Sequence, residues 1–184
     1  MWTRFIASAF LVLALTAPAA AQDPSSLQIF RSVQRQVLTY SHFTVFDSVN
    51  AQIKDGVVTL TGKVLMPFKK DDLGERVGKV RGVKAVNNLI EVLPASKSDD
   101  ELRVGIAKAI YGNSSLSRYA TQVNPPIHII VERGRVTLTG VVNSNVERML
   151  ARSLATGFGE LAVVNELRTD AEVREAELRA MRSY

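Results

Sequence analysis

The 184-residue sequence contains no cysteine, only two histidines and one tryptophan, and is 7% aromatic. Without cysteine there is no disulfide framework, no zinc-thiolate or iron–sulfur centre, no cysteine nucleophile and no cysteine-attached lipid anchor. A metal site would need His42 and His128 together with carboxylates. Neither histidine lies in a compact His/Asp/Ser or His/Glu signature, so catalytic and metal roles are not expected of them. His128 stands between Ile127 and Ile129, where strand alternation turns it away from both, and it reads as a half-exposed strand histidine. No glycine-rich phosphate-cradling loop is present, and no cofactor is implied. Charge of one sign is also scarce. Lys and Arg number 23 against 18 acidic residues, a net +5 with no concentrated basic face, which argues against nucleic acid.

What is present begins with a short basic start, Met1-Trp2-Thr3-Arg4, and eleven uncharged residues from Phe5 to Leu15. The run is too short to span a bilayer and leads into Pro18-Ala19-Ala20-Ala21, small residues where a signal peptidase needs them. Residues 1–21 therefore read as a secretory signal peptide cleaved after Ala21. Cleavage leaves 163 residues at +4, with no other apolar run near the ~20 residues of a membrane span. The periplasm is the expected compartment, with extracellular release as the alternative.

An internal repeat organises the remainder. Asp55-Gly56-Val57-Val58-Thr59-Leu60-Thr61-Gly62-Lys63-Val64 returns as Arg133-Gly134-Arg135-Val136-Thr137-Leu138-Thr139-Gly140-Val141-Val142, seven identities in ten at an offset of 78. The same ungapped offset sets Val86-Asn87-Asn88-Leu89 against Val164-Asn165-Glu166-Leu167. Two modules follow, over 22–94 and 99–169, joined by a short polar stretch after Pro94. The first opens with Asp23-Pro24, a cap and a first-turn proline, ahead of Ile29, Val33 and Val37 at helical spacing. Val49, Ala51 and Ile53 alternate as a strand, and Asp55-Gly56 is a hairpin turn. A second helix is expected over 71–80, with Leu73, Val77 and Val80 on one face and Gly82 as its terminator, then a third strand over 86–92.

The second module repeats this order. Its first helix carries Leu102, Ile106 and Ile110, and its second begins at a Ser144–Glu147 capping box. Residues 112–126 add length before its first strand. The predicted class is α+β: two tandem α-β-β-α-β modules, each a three-stranded mixed sheet with two helices on one face. Residues 170–184 read as a helical tail opened by Thr169-x-x-Glu172. Gly56, Gly62, Gly82, Gly134 and Gly140 are structural turn and strand-packing glycines. The pairs Asp71-Asp72 and Asp99-Asp100 read as helix N-terminal charges.

The Thr-Leu-Thr-Gly strand after a glycine turn, followed by a helix and a Val-Asn-Asn-Leu-like strand, in two copies behind an export signal, resembles the BON (bacterial OsmY and nodulation) domain family. The chain is similar to its periplasmic dual-domain members. The departure is at Glu160, which stands where the first module has Gly82. The resemblance implies a non-enzymatic envelope protein that binds an anionic phospholipid surface peripherally and supports outer-membrane integrity or the osmotic-stress response. The alternative is a protein-interaction or chaperone-like module for secreted or outer-membrane proteins.

Two lipid-contact regions are candidates. The first is a cationic helix face carrying Lys69, Lys70, Arg76 and Lys79 with Arg81 and Lys84 nearby, interrupted by Asp71, Asp72 and Glu75, so that a solvated face competes with it. The second is implied by the resemblance, in which lipid contact is attributed to the first helix of the second domain. Here that region offers Arg103, Lys108, Tyr111, Arg118 and Tyr119.

Overall fold

A computed structural model describes residues 26–182; the expected signal peptide and the Asp23-Pro24 helix start lie outside them. The first module comprises α1 (Ser26–Leu38), β1 (Ser48–Lys54), β2 (Val57–Val64), α2 (Pro67–Gly78) and β3 (Ala85–Val92). The second comprises α3 (Lys97–Gly112), a short α4 (Ser117–Ala120), β4 (Ile127–Glu132), β5 (Arg135–Val142), α5 (Asn145–Leu154) and β6 (Ala162–Thr169), with α6 (Asp170–Arg182) after it. In each module the central strand pairs antiparallel with the strand before it and parallel with the one after α2 or α5. The fold is therefore the α+β tandem of mixed sheets that the pattern predicts.

Hydrophobic periodicity explains the two cores. Ile29, Val33 and Val37 of α1 and Leu73 and Val77 of α2 close over Val58, Leu60, Val64 and Ile90 of the first sheet. Leu102, Ile106 and Ile110 of α3 with Ala151 of α5 do the same over Ile129, Val131, Val136 and Leu138. Both hairpins turn through two consecutive positive-φ residues, Asp55-Gly56 and Arg133-Gly134, a type I′ turn whose twist suits antiparallel strands. Gly62 and Gly140 have φ of 122° and 116°, and a Cβ on them would lie 2.0 Å from the Ser48 oxygen and 1.8 Å from the Pro126 oxygen. Only glycine permits that approach.

Three expectations need correction. First, the second helix begins at Pro67 rather than near Asp71, because proline suits the first helical position. Asp71 and Asp72 thus lie beyond the first turn, and Asp72 accepts a 2.6 Å hydrogen bond from the Tyr40 hydroxyl instead of answering the helix dipole. Asp99 and Asp100 do stand in the first turn of α3. Second, the ungapped offset of 78 fails at the third strand. Leu60 pairs with Asn88, and Leu138 with Asn165, so Asn165 matches Asn88 and one residue is missing between α5 and β6. In a strand, that single step decides which face a side chain takes. Both asparagines point coreward, donate to the Lys70 or Arg148 carbonyl at 2.8 Å and accept the outward N–H of Ile90 or Leu167. Third, the added length over 112–126 is part of the packed fold, because it carries α4 and buries Leu116 and Tyr119 in the second core.

The modules are joined through the segment before β1. The Val45 carbonyl accepts the Ile129 N–H of β4 at 2.7 Å, and Asn124 donates to the Leu38 carbonyl. Phe46 packs on the second core, Phe43 meets the His128 ring at 5.5 Å, and Lys63 pairs with Glu132. His128 is half-buried at this junction. After β6, α6 opens with the expected reciprocal box, in which Thr169 N–H donates to Glu172 and Glu172 N–H to Thr169 Oγ1.

Candidate functional site

The cationic face of α2 is mostly committed to the protein itself. Lys69 is 5% exposed and pairs at 2.6 Å with Asp47, which is fully buried. Asp47 also accepts from the Thr44 N–H and hydroxyl and the Leu65 N–H, so this carboxylate organises the turn leading into β1. Lys69 is therefore not a surface group, since removing its ammonium from Asp47 would strand a buried charge. Arg76 donates to the Gln36 carbonyl and lies 5.5 Å over the Tyr40 ring, tying α2 to α1. Lys79 is exposed and bonded one turn back to Glu75 at 2.6 Å, a weak pair that leaves it accessible. Lys70 is half-buried and has no ion-pair partner among the described residues.

The α3 region also departs from expectation, for a reason that sequence periodicity hides. Strand β4 is the edge of its sheet, and Ile127, Ile129 and Val131 present outward backbone groups. Tyr111 of α3 donates its hydroxyl to the Ile127 carbonyl, the Val45 carbonyl takes the Ile129 N–H, and Arg103 donates to the Val131 carbonyl. Arg103 and Tyr111 are eight residues apart, ~12 Å along a helix, while Ile127 and Val131 span ~13 Å along a strand, so the two caps fall in register. Arg103 is 2% exposed, so its guanidinium does not meet a lipid surface. Tyr111 serves the strand edge, and burial raises its hydroxyl pKa.

Tyr119 is likewise interior. Its hydroxyl donates to Glu147 at 2.7 Å and accepts the Asn143 N–H, anchoring the start of α5. Burial pushes the Glu147 carboxyl up, but hydrogen bonds from Tyr119, Arg118 and the Asn143 N–H outweigh it and hold it below the usual carboxylate range. Arg118 stacks 4.9 Å over the Tyr119 ring and pairs with Glu147, so only its outer part is presented. Of the two exposed residues among the five, Arg118 is paired with Glu147, and Lys108 has no charged partner among the described residues.

Around Lys108 the structure gathers side chains that sequence reasoning passed over. Val104, one turn before it, is 46% exposed, and Phe158 and Leu161 in the turn before β6 are 41% and 74% exposed. Phe158 lies against the bare backbone of Gly105, where a Cβ would come within 2.9 Å of its ring. Leu161 touches Gly134 of the second hairpin, whose N–H and that of Arg133 are both held at 2.8 Å by Asp99 at the start of α3. The result is an apolar patch on one side of α3 beside Lys108, with the exposed Arg133, which also lines the junction cleft, in the hairpin turn that Leu161 touches. The sequence signal for it was Gly157-Phe158-Gly159, an aromatic placed in a loop between two positive-φ glycines.

A second concave surface, a cleft of about 450 Å³ at the module junction, is lined by the helix-free sheet faces, including Ser48, Asn50, Lys63, Glu132, Arg135 and Thr139. Its central cation is already spoken for, since Lys63 pairs with Glu132 and lies 3.5 Å from Glu91. Among the described residues no group of three or more His, Asp or Glu side chains is placed to hold a metal ion. No helix among them is long and apolar enough to cross a membrane.

A family model matches both modules. The family model described as BON domain matches residues 28–94 and 99–171. The potassium binding protein Kbp of Escherichia coli O6:H1 is 34% identical over 89 residues, 44% of this chain and 59% of Kbp, so the chain spans about six-tenths of that relative's length. Among solved structures, CdsD, a structural protein of the Type III secretion system of Chlamydia trachomatis, aligns over 82% of this chain and 98% of its own at a TM-score of 0.30 and 16% identity. A structure of the CdsD C-terminal domain aligns at 0.26 and 15%, over 79% and 98%.

Proposed function

We propose, from the premise that this chain belongs to the BON domain family, that it is a non-enzymatic binding protein of the cell envelope, exported to the periplasm through a leader ending near Ala21. It meets anionic phospholipid peripherally and supports outer-membrane integrity or the response to osmotic stress. The contact surface is the outer side of α3 with the turn before β6. The observation that carries this reading is the exposure of Val104, Phe158 and Leu161 beside Lys108 and Arg133. Each well-placed cation contributes ~1 kcal/mol at an anionic surface, so two cations alone hold a protein weakly. Apolar side chains that enter the headgroup boundary supply the rest. The absence of cysteine leaves all of this to surface residues, and binding is reversible.

Co-sedimentation with phosphatidylglycerol/phosphatidylethanolamine vesicles, against phosphatidylcholine controls, tests the reading. Binding is expected at low salt and only with the anionic vesicles, falling at least tenfold at high salt. Lys108→Glu and Phe158→Ser are each expected to weaken it at least fivefold without changing the far-ultraviolet spectrum. Parallel runs in potassium and sodium salts separate screening, which is common to both, from any effect of the cation for which the E. coli relative is named. No binding at low salt, or binding indifferent to both substitutions, overturns the proposal. Salt-insensitive capture of unfolded envelope proteins would favour the protein-interaction alternative instead.

A further inference from the structure

The internal repeat allows one module to be read against the other, and they differ at the sheet edge. Register places Val49, Ala51 and Ile53 of β1 where the second module has Ile127, Ile129 and Val131. Three of the outward groups of β4 are capped, one on each residue: the Ile127 carbonyl by Tyr111, the Ile129 N–H by Val45 and the Val131 carbonyl by Arg103. On β1, the outward N–H and C=O groups of Val49, Ala51 and Ile53 have no hydrogen-bond partner among the described residues. The reason lies in α1. Matching Ile29, Val33 and Val37 to Leu102, Ile106 and Ile110 puts Phe30 where Arg103 stands and Leu38 where Tyr111 stands. Neither can donate a hydrogen bond, and each is 42% exposed. An open strand edge beside exposed apolar side chains is a template for another strand, and proteins that do not use such an edge block it, as the second module does.

We propose that β1 is a self-association edge that pairs antiparallel with β1 of a second copy of this chain, joining the two first-module sheets into one six-stranded sheet. The sequence of β1 is complementary to itself about Ala51. A two-fold axis there sets Ala51 opposite Ala51, Val49 opposite Ile53, Asn50 opposite Gln52, and Ser48 opposite Lys54, so that no like charges face each other. The three outward residues become hydrogen-bonded pairs, each exchanging two bonds, six in all. The helices agree with this register. Because Phe30 and Leu38 match Arg103 and Tyr111, which cap Val131 and Ile127, the matching puts Phe30 beside Ile53 and Leu38 beside Val49, and across the axis the Phe30 of each copy would meet the Leu38 of the other, covering surface that is 42% exposed on both side chains.

Sedimentation of the purified protein over a concentration series is expected to show a reversible monomer–dimer equilibrium. Phe30→Arg combined with Leu38→Tyr transplants the second module's caps and is expected to leave only monomer. Ala51→Pro removes an outward N–H while sparing the β2 ladder, and is expected to do the same with the fold retained by circular dichroism. The cysteine-free chain permits a direct readout of register, because hydrogen-bonded partners lie ~5.5 Å apart at Cα, within disulfide reach. Ala51→Cys is expected to form a disulfide-linked dimer under mild oxidation, whereas Asn87→Cys, exposed on β3, does not. A monomer throughout the series, a dimer that survives both folded variants, or an Ala51→Cys protein that cross-links in cells to a different protein and not to itself each overturns the proposal.

Discussion

Replacing Gly140 by alanine tests how tightly the repeated Thr-Leu-Thr-Gly strand is constrained. At φ 116° the native backbone is one that L residues rarely adopt, which costs ~1–3 kcal/mol for a residue with a Cβ. The new methyl would also lie 1.8 Å from the Pro126 carbonyl oxygen, a backbone atom that cannot rotate away. Restoring ordinary contact moves that carbonyl by more than an ångström, which breaks the 3.2 Å hydrogen bond from the Val141 N–H, worth ~1 kcal/mol. The same movement pulls on the start of β4, where Tyr111 caps Ile127. Together these give about 3–5 kcal/mol, or roughly 6–20 °C in melting temperature for a protein of this size. Gly112→Ala is the control. It ends α3 with nothing within 4 Å of its Cβ position, and it should be neutral or slightly stabilising. Urea titration and thermal melts followed by circular dichroism measure both variants. A Gly140→Ala cost below about 1 kcal/mol, or no worse than Gly112→Ala, would refute the reasoning.

Two further perturbations address the buried charges. Lys69→Met leaves Asp47 buried with three hydrogen bonds but no counter-charge, and should cost about 3–5 kcal/mol in urea titration. Adding Asp47→Asn should recover part of that loss, and the idea fails if the double variant is no better than the single one. Burial lowers the His128 pKa from 6.5, although the Thr44 and Asp47 backbone groups and the Asp47 charge oppose the shift. The unfolded chain therefore binds a proton that the folded chain refuses, so stability is full above about pH 7 and falls as pH drops through 6.5, levelling off below the depressed native value. Stability measured at pH 7.5 and 5.5 should differ less in His128→Gln than in the parent protein, and equal differences would dismiss this histidine as the source.

The periodic features were legible in the chain because they are local. The ten-residue repeat, the turn residues at 55–56 and 133–134, and the apolar spacing in α1, α2 and α3 each follow from backbone preference and amphipathic period. Surface charge was the least legible feature. Arg103, Lys69 and Tyr119 look like exposed polar residues at helical spacing, yet all three are interior, because the strand edge at Val131, the carboxylate of Asp47 and that of Glu147 lie far away in sequence. Lys108 and Lys79 remained exposed because no such partner reaches them across the fold.

By itself the sequence determined the number of modules, the α-β-β-α-β order common to both, the turn chemistry and the periodic helix and strand residues of the two cores, since each is set by interactions within a few residues or by a period along the chain. Only the tertiary structure decided the one-residue step that brings Asn165 level with Asn88, the docking of Val45 on β4, and the difference between a capped edge and an open one. Those depend on which backbone groups from distant segments meet. An unpaired N–H or C=O looks the same in sequence as a paired one, and becomes a structural fact only when the fold either supplies its partner or leaves it open.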